Sequence, residues 1–441
     1  MEKIIIENFG PISYFEAEVK DIMIFIGPQA SGKSTIAKLI WFFKSVKNFL
    51  IELINNVVKQ SELYTPNGLI EEFKMFLDSN LKATFEEISN NRTFQITYYY
   101  SEHKSIKIIL PKEKRFSENV QKFAFQFTWT QNITTELDKI FIEVVNYKQN
   151  FYQSLSDKLR LNSEKQNFLT VLTKHINKFF GNDQAPIFIP AARSLLSFLK
   201  LTNLNFDSFN INILDQGFIG MTEIIKPEFQ NDLREIIDII KGNKQLNEHG
   251  NNFEEAEIAI EIINKILKGK YKVVDEEERL YFNAQNYVKL KYASSGQQEA
   301  LWIVLLIFKF ILDEENVFTV FEEPEAHLYP EAQNEMVKLM ALLANVNQNQ
   351  IIITTHSPYI LSAFNNLLYA HQIGQDKPDE VSQLVNPKLW LDVNRTSAYF
   401  IDGDSYESII DPDLNLIQAE KIDSASRIIN ETFDQLFDLD N

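Results

Sequence analysis

Ile22-Met23-Ile24-Phe25-Ile26-Gly27-Pro28-Gln29-Ala30-Ser31-Gly32-Lys33-Ser34-Thr35 is the stretch that decides the reading of this chain. The unbroken apolar run Ile22–Ile26 predicts a strand covered on both faces, as in a mostly parallel sheet. Gly27 to Ser34 then matches G-x-x-x-x-G-K-[ST] at every fixed position, between a strand and a helix, which is the context that motif requires. A triphosphate brings several negative charges, and free backbone N–H groups at a helix N-terminus form a cradle for them. Gly27 and Gly32 permit backbone angles and a close approach that a Cβ would block. Lys33 is expected to reach the β- and γ-phosphates of ATP, and the Ser34 hydroxyl to ligate Mg²⁺.

Working outward, Lys3–Asn8 and Tyr14–Val19 read as strands about a Gly10-Pro11 turn, and a helix pattern runs from Lys33 to about Leu53. Further on, a helix from Ser295 to about Leu312, strand Val317–Phe321, helix Glu331–Ala344, strand Gln350–Thr354 and helix Pro358–Phe364 alternate, which predicts an α/β domain. The stretch from Ser61 to Gly181 is mixed. Within it Thr93–Tyr100 and Ser105–Leu110 read as paired strands, and Thr135–Phe151 and Ser163–Phe180 as helices. Pro186–Pro190 is a short strand and Leu195–Leu267 is largely helical. Lys270–Val274, Leu280–Phe282 and Tyr287–Tyr292 are strands again. In the tail, strands Ala398–Asp402 and Glu407–Ile410 flank a turn at Asp402-Gly403-Asp404, and a helix is expected around Ser424–Phe437.

The chain has 441 residues, 45% hydrophobic and 24% charged, with Lys+Arg 43 against Asp+Glu 61 and a net charge of -18. That balance disfavours a surface that coats nucleic acid or an anionic membrane throughout. Without cysteine there are no disulfides, thiolate metal sites or cysteine nucleophiles. Glu7 and Asn8 interrupt the N-terminal apolar run, and Ala300–Phe308 falls short of the ~20 residues of a membrane span. A cytoplasmic protein with no membrane partner is expected.

A second constellation follows Val317–Phe321. Glu322-Glu323-Pro324-Glu325 stands at the carboxyl end of a buried strand, where open α/β sheets bind ligands. Glu322 is assigned to the metal and Glu323 to the attacking water; the plain alternative is a solvated acidic turn. His356, ending the apolar strand Ile351–Thr355, is placed to hydrogen-bond the γ-phosphate or the water. Ser294-Ser295-Gly296-Gln297 opens the most apolar helix, as ordinary cap chemistry or as a second phosphate-contacting helix end. With a single phosphate loop in the chain, the latter would serve the nucleotide of a partner protomer.

In this order the pieces resemble a known family. Gly27–Thr35 resembles a Walker A motif, Ser294–Gln298 the ABC signature, Phe318–Glu323 Walker B with its catalytic glutamate, and His356 the switch histidine. Together they resemble the ATP-binding-cassette ATPases of the SMC/RecF/OLD branch. Glu322-Glu323-Pro324-Glu325-Ala326-His327-Leu328-Tyr329-Pro330, Ile6–Pro11 and Ile189–Arg193 are especially like the OLD-type and defence-associated members. The resemblance implies an α/β head with a mostly parallel sheet, antiparallel N-terminal strands and a mostly helical insertion. The expected division is 1–60, the first half of the head; 61–186, a mixed insertion; 187–279, a helical insertion; 280–370, the second half of the head; and 371–441, completing strands and a helix.

It further implies a head-to-head homodimer with each ATP between Gly27, Gln29, Ala30, Ser31, Gly32, Lys33, Ser34 and Thr35 of one copy and Ser294, Ser295, Gly296 and Gln297 of the other. Lys33, Glu323 and His356 are then catalytic, and Ser34 and Glu322 hold Mg²⁺. Glu322 stands where the family usually has Asp, one methylene shorter, and no Q-loop glutamine is identified. Arg193 is a phosphate-facing or interface arginine, or else a salt-bridge partner. There are no sustained heptads for a long coiled-coil tether, and an ATPase without the Toprim nuclease domain of OLD nucleases is expected. The function expected is that of an ATP-hydrolysing sensor or clamp in a bacterial antiphage defence complex, similar to PtuA of Septu or AriA of PARIS. It would control a separate nuclease or toxin. The alternatives are a RecF-like DNA repair clamp, with DNA along Lys104, Lys107, Lys112, Lys114 and Arg115 or Lys268, Lys270 and Lys272, and an ATP-gated scaffold with very slow hydrolysis.

Overall fold

A computed structural model describes residues 1–60, 62–85, 93–110, 125–153, 158–181, 183–191, 193, 212–242, 252–418, 431–432 and 434–437. The chain forms two units. One comprises Met1–Val19, Thr35–Pro186 and Gly403–Ser405; the other Lys20–Ser34, Ile187–Asp402 and Tyr406–Asn441.

In the first unit, period-two alternation does the organising. Strand β1 (Lys3–Phe9) buries Ile4, Ile6 and Phe9, and β2 (Ile12–Glu18) buries Ile12, Phe15 and Ala17. They belong to a five-stranded antiparallel sheet of order β2-β1-β4-β5-β6, with β4 Phe94–Ser101, β5 Lys104–Leu110 and β6 Gln126–Trp129. The register Ile4↔Tyr98 differs from the expected partition at residue 60, because residues 94–110 complete the N-terminal sheet instead of standing in an insertion. Helix α1 runs Lys33–Lys59, longer than the sequence pattern implied. Helix α2 (Pro66–Phe85) lies in the stretch read only as mixed; it opens on a proline at its first turn and buries Leu69, Phe73, Leu77 and Leu81 at four-residue spacing. Helices α3 (Gln131–Gln153) and α4 (Lys158–Phe180) complete this unit.

The second unit is built on a six-stranded sheet of order β14-β13-β3-β12-β11-β7. Its ranges are β14 Ser405–Ser408, β13 Thr396–Asp402, β3 Ile22–Ile26, β12 Gln350–Thr355, β11 Val317–Glu322 and β7 Ala185–Ile189. β13, β3, β12 and β11 are parallel neighbours, and β3 and β11 are buried at every residue. Helices α5 (Ile213–Ile225), α6 (Leu233–Gly242) and α7 (Phe253–Leu267) realise parts of the expected helical stretch; residues 194–211 and 243–251 lie outside the described residues. A three-stranded antiparallel sheet, β10-β9-β8, follows: β8 Lys270–Val274, β9 Glu277–Tyr281 and β10 Tyr287–Lys289. The expected strand Tyr287–Tyr292 stops at Lys289, and Leu290–Tyr292 turns as a 3₁₀ helix into the next helix. Then come α8 (Ser295–Leu312), α9 (Pro330–Asn345) and α10 (Pro358–Gly374). By length and composition α8 could cross a membrane, but 78% of it is buried in the fold, where it serves as a core helix. Most of the expected tail helix lies outside the described residues.

Candidate active site

Parallel pairing brings the expected residues to one edge. Glu322 pairs with Thr354, and Thr354 with Phe25, so the end of β11 lies two strand spacings, ~10 Å, from the end of β3. The loop Gly27–Ser34 leaves β3 at that edge. Gly27 has φ 153, and a Cβ there would stand 1.9 Å from the Ile401 carbonyl oxygen of β13. Gly32 has φ 103, and Ala30 is left-handed at φ 58. Pro28, Gln29 and Ala30 form the exposed crest, Ser31, Gly32 and Lys33 are buried, and Ser34 and Thr35 are half-buried in the first turn of α1.

The Lys33 ammonium folds back on its own loop, donating to the Gly27 carbonyl at 2.9 Å and the Pro28 carbonyl at 2.6 Å. Burial lowers its pKa from 10.5 to about 8, with Glu323 and Glu325 pulling the other way. A phosphate arriving over the loop offers the ammonium anionic oxygens in place of carbonyls.

Glu322 is buried, and its Oε1 has no hydrogen-bond partner; Oε2 accepts only a long contact, 3.5 Å, from the Ala191 N–H. A sealed carboxylate oxygen without a donor suits a cation. The described residues hold no group of three or more acidic or histidine ligands, so a cation here would take Glu322, the Ser34 hydroxyl and oxygens from phosphate and water. That is the manner of Mg²⁺.

Glu323 sits at φ 44 and donates its N–H to the Thr354 carbonyl at 2.9 Å. Its carboxylate lies 3.3 Å from His356 Nε2, and both side chains are partly exposed. A carboxylate and an imidazole in contact at a strand edge can take up and hold a proton from a water molecule. Glu325, quoted in the motif but given no role from sequence, accepts from the Thr355 hydroxyl at 2.6 Å and the His356 N–H at 2.9 Å. Its signal in the sequence was its place after Pro324, two residues beyond Glu323.

Of the roles expected for Arg193, its contacts match the salt-bridge partner and not the phosphate-facing side chain. The side chain is wholly buried. Its Nε donates to the Glu299 carbonyl (2.9 Å), Nη1 to those of Pro190 (2.6 Å) and Glu322 (2.8 Å), and Nη2 to that of Glu323 (3.1 Å). The Glu299 carboxylate, also buried, lies 3.4 Å from Nε and accepts the Arg193 backbone N–H at 3.0 Å. Arg193 therefore pins the end of β11 by its backbone.

At the start of α8 Ser294 and Gln297 form a reciprocal capping box, and Gln297 Nε2 also donates to the Leu267 carbonyl at 2.7 Å. Both side chains are thus engaged within the chain, while Ser294 and Ser295 remain exposed. Gly296 is required by packing, since a Cβ would meet the His327 carbonyl oxygen at 2.6 Å. Of the basic clusters proposed for DNA, Lys270 is paired with Asp232 (3.2 Å) and Lys272 with Glu235 (2.9 Å), and Lys104 donates to the Phe179 carbonyl. Lys112, Lys114 and Arg115 lie outside the described residues.

Comparison with known proteins gives a match to the AAA ATPase domain family over residues 1–122 and 101–361. An OLD nuclease from Thermus scotoductus (strain ATCC 700910 / SA-01) is 33% identical over 112 residues, 22% of this chain and 21% of that protein, so the chain spans about a fifth of that relative's length. Among solved structures, the chain is similar to an SMC head bound to the C-winged helix domain of ScpA (TM-score 0.41, 10% identity, 92% and 96% of the two chains). It is also similar to the SMC head domain from Thermotoga maritima (TM-score 0.36, 10% identity, 92% and 98%).

Proposed function

The chain belongs to the AAA ATPase domain family, and we propose that it binds ATP with Mg²⁺ and hydrolyses it at the strand edge that gathers the Gly27–Ser34 loop, Glu322, Glu323 and His356. The observation that carries this is the parallel register of β11, β12 and β3, which sets the loop, the two carboxylates and the imidazole on one edge. Lys33 exchanges its loop carbonyls for phosphate oxygens. Glu322 and Ser34 would hold Mg²⁺, which when bound would supply positive charge to offset that of the phosphates. Glu323 accepts a proton from the attacking water at its carboxylate, and His356, at 3.3 Å, orients that carboxylate.

The exposed Ser294 and Ser295 at the start of α8 support a second element of the reading. The described residues carry one phosphate loop, so this helix end would serve a nucleotide held by another copy, in a head-to-head homodimer. The finer role is a cytoplasmic sensor or clamp subunit of an antiphage defence complex with a separate nuclease or toxin. It is supported by the likeness of Glu322–Pro330 to OLD-type proteins and by the local identity to an OLD nuclease. The ion-paired Lys270 and Lys272 weigh against the DNA-clamp alternative.

The test is turnover against protein concentration together with two variants. Wild-type rate per subunit should rise with concentration. Lys33→Ala should lose nucleotide binding, whereas Glu323→Gln should keep it, lose turnover and accumulate as a dimer. Undiminished turnover in Glu323→Gln would refute the assignment of the base, and a rate indifferent to dilution would refute the dimer. Co-purification with the product of the adjacent gene tests the defence role.

A further inference from the structure

We infer that Glu325 is a positioning residue for hydrolysis: it braces the strand end that carries His356 against the turn that carries Glu323, and so sets the contact between those two groups. The inference rests on the ATPase reading above and adds a residue to it.

The β12 ladder ends at Thr355, leaving His356 beyond the sheet. The His356 N–H is instead held by Glu325 Oε1 at 2.9 Å, and the same oxygen receives the neighbouring Thr355 hydroxyl at 2.6 Å. On the other side, the Glu323 N–H is held by the Thr354 carbonyl of β12 at 2.9 Å. Each member of the pair is thus anchored by its backbone to the segment that carries the other. The 3.3 Å contact between Glu323 and His356 follows from two cross-ties rather than from one long loop.

The brace closes on itself. Thr355 Oγ1 also accepts the Ser357 N–H at 3.0 Å, and Ser357 Oγ donates to Gln333 Oε1 at 2.6 Å. Gln333 Nε2 donates to the Leu328 carbonyl at 2.9 Å, and the Leu328 N–H returns to the Glu325 carbonyl at 2.9 Å. Within this ring, Glu325 Oε1 takes two donors from the end of β12, the Thr355 hydroxyl and the His356 N–H, so one acceptor oxygen ties both residues to the turn. Glu323, at φ 44, is held by its own N–H on the Thr354 carbonyl and by the Ala326 N–H on its carbonyl, a conformation that persists only where its surroundings over-determine it.

What Glu325 supplies is an acceptor oxygen, so Glu325→Gln should retain function and Glu325→Ala should not. For Glu325→Ala we expect kcat to fall roughly 10- to 100-fold with the KM for ATP within about threefold, because the hydrogen bonds of Glu325 go to the end of β12 and those of Lys33 to its own loop. Glu325→Gln should restore kcat to within about threefold of wild type. Thr355→Val, which removes one of the two donors without changing volume, should give an intermediate loss and serves if Glu325→Ala does not fold.

A second readout needs no hydrolysis. With ¹⁵N-histidine labelling and no nucleotide, Glu323→Gln should shift the His356 ring resonances, and that shift should be much smaller in a Glu325→Ala background but retained in a Glu325→Gln background. Wild-type kcat in Glu325→Ala would overturn the inference. So would Glu325→Gln as inactive as Glu325→Ala, since the charge itself would then be acting, or kcat and KM moving together with melting temperature. If the wild type hydrolyses no ATP, the ATPase reading fails, and the resonance shifts still decide the role of Glu325.

Discussion

Replacing Arg193 by Met tests its place as a buried salt-bridge partner. The side chain keeps its length and apolar stem but loses every donor, leaving the carbonyls of Glu299, Pro190, Glu322 and Glu323 without the guanidinium and Glu299 as a buried carboxylate without its cation. Burial already lowers the Arg193 pKa, with Glu299 the strongest opposing influence, so the charge is held there by its partners. Removing one member of such a pair costs about 3–5 kcal/mol. At roughly 2–4 °C per kcal/mol for a unit of this size, the melting transition should fall by roughly 6–20 °C. Calorimetry on Arg193→Met, Glu299→Gln and the double variant completes the cycle. The double variant should be more stable than the sum of the single losses implies, by at least about 1.5 kcal/mol, because the stranded carboxylate is gone. A melting temperature within about 2 °C of wild type, accompanied by a tenfold weaker affinity for ATP, would refute this reasoning and return Arg193 to the phosphate.

Gly27→Ala should weaken ATP binding by about 100-fold, since its Cβ would stand 1.9 Å from the Ile401 oxygen and the loop must move by about 1 Å to relieve the clash; isothermal titration checks this, and unchanged affinity contradicts the loop geometry. Lys47, buried in α1, has its pKa lowered from 10.5 to about 8, first by burial and then by Lys44. The unfolded chain therefore binds more protons between pH 8 and 10.5, so the penalty of burying the charge is complete below pH 8 and relieved as pH rises through that window. Lys47→Met should accordingly stabilise by about 3 kcal/mol at pH 7, with the gain shrinking towards pH 10, and a pH-independent gain in thermal melts would contradict the assignment. Ser294→Ala should cost about 1 kcal/mol through loss of the helix cap, whereas Ser295→Ala should leave stability within about 0.5 kcal/mol and lower turnover at concentrations where dimers form. Full turnover in Ser295→Ala would contradict a phosphate-contacting role for that helix end.

Much of the second unit was legible because its signals are local. The mostly apolar runs of β3, β11 and β12 and the Gly-rich loop each declare themselves within a few residues. Helix α2 is hard to discern in the sequence, because Leu69, Phe73, Leu77 and Leu81 repeat every four residues in a stretch of otherwise mixed polarity. The end of β10 was overextended because Leu290–Tyr292 keeps apolar and aromatic residues while turning as a 3₁₀ helix.

Local composition is enough to determine a phosphate cradle, a capped apolar helix and acidic or histidine residues at strand ends, since backbone freedom, capping and burial on both faces depend on near neighbours. The tertiary structure alone decided how those ends meet. Arg193 finds its carbonyl partner on Glu322 across 129 residues, and Glu325 reaches His356 across 31. Hydrogen-bond direction at such separations is set by strand register and by which side chain is sealed from water. An arginine bound for phosphate and one bound for carbonyl oxygens are the same residue until the chain has folded around it.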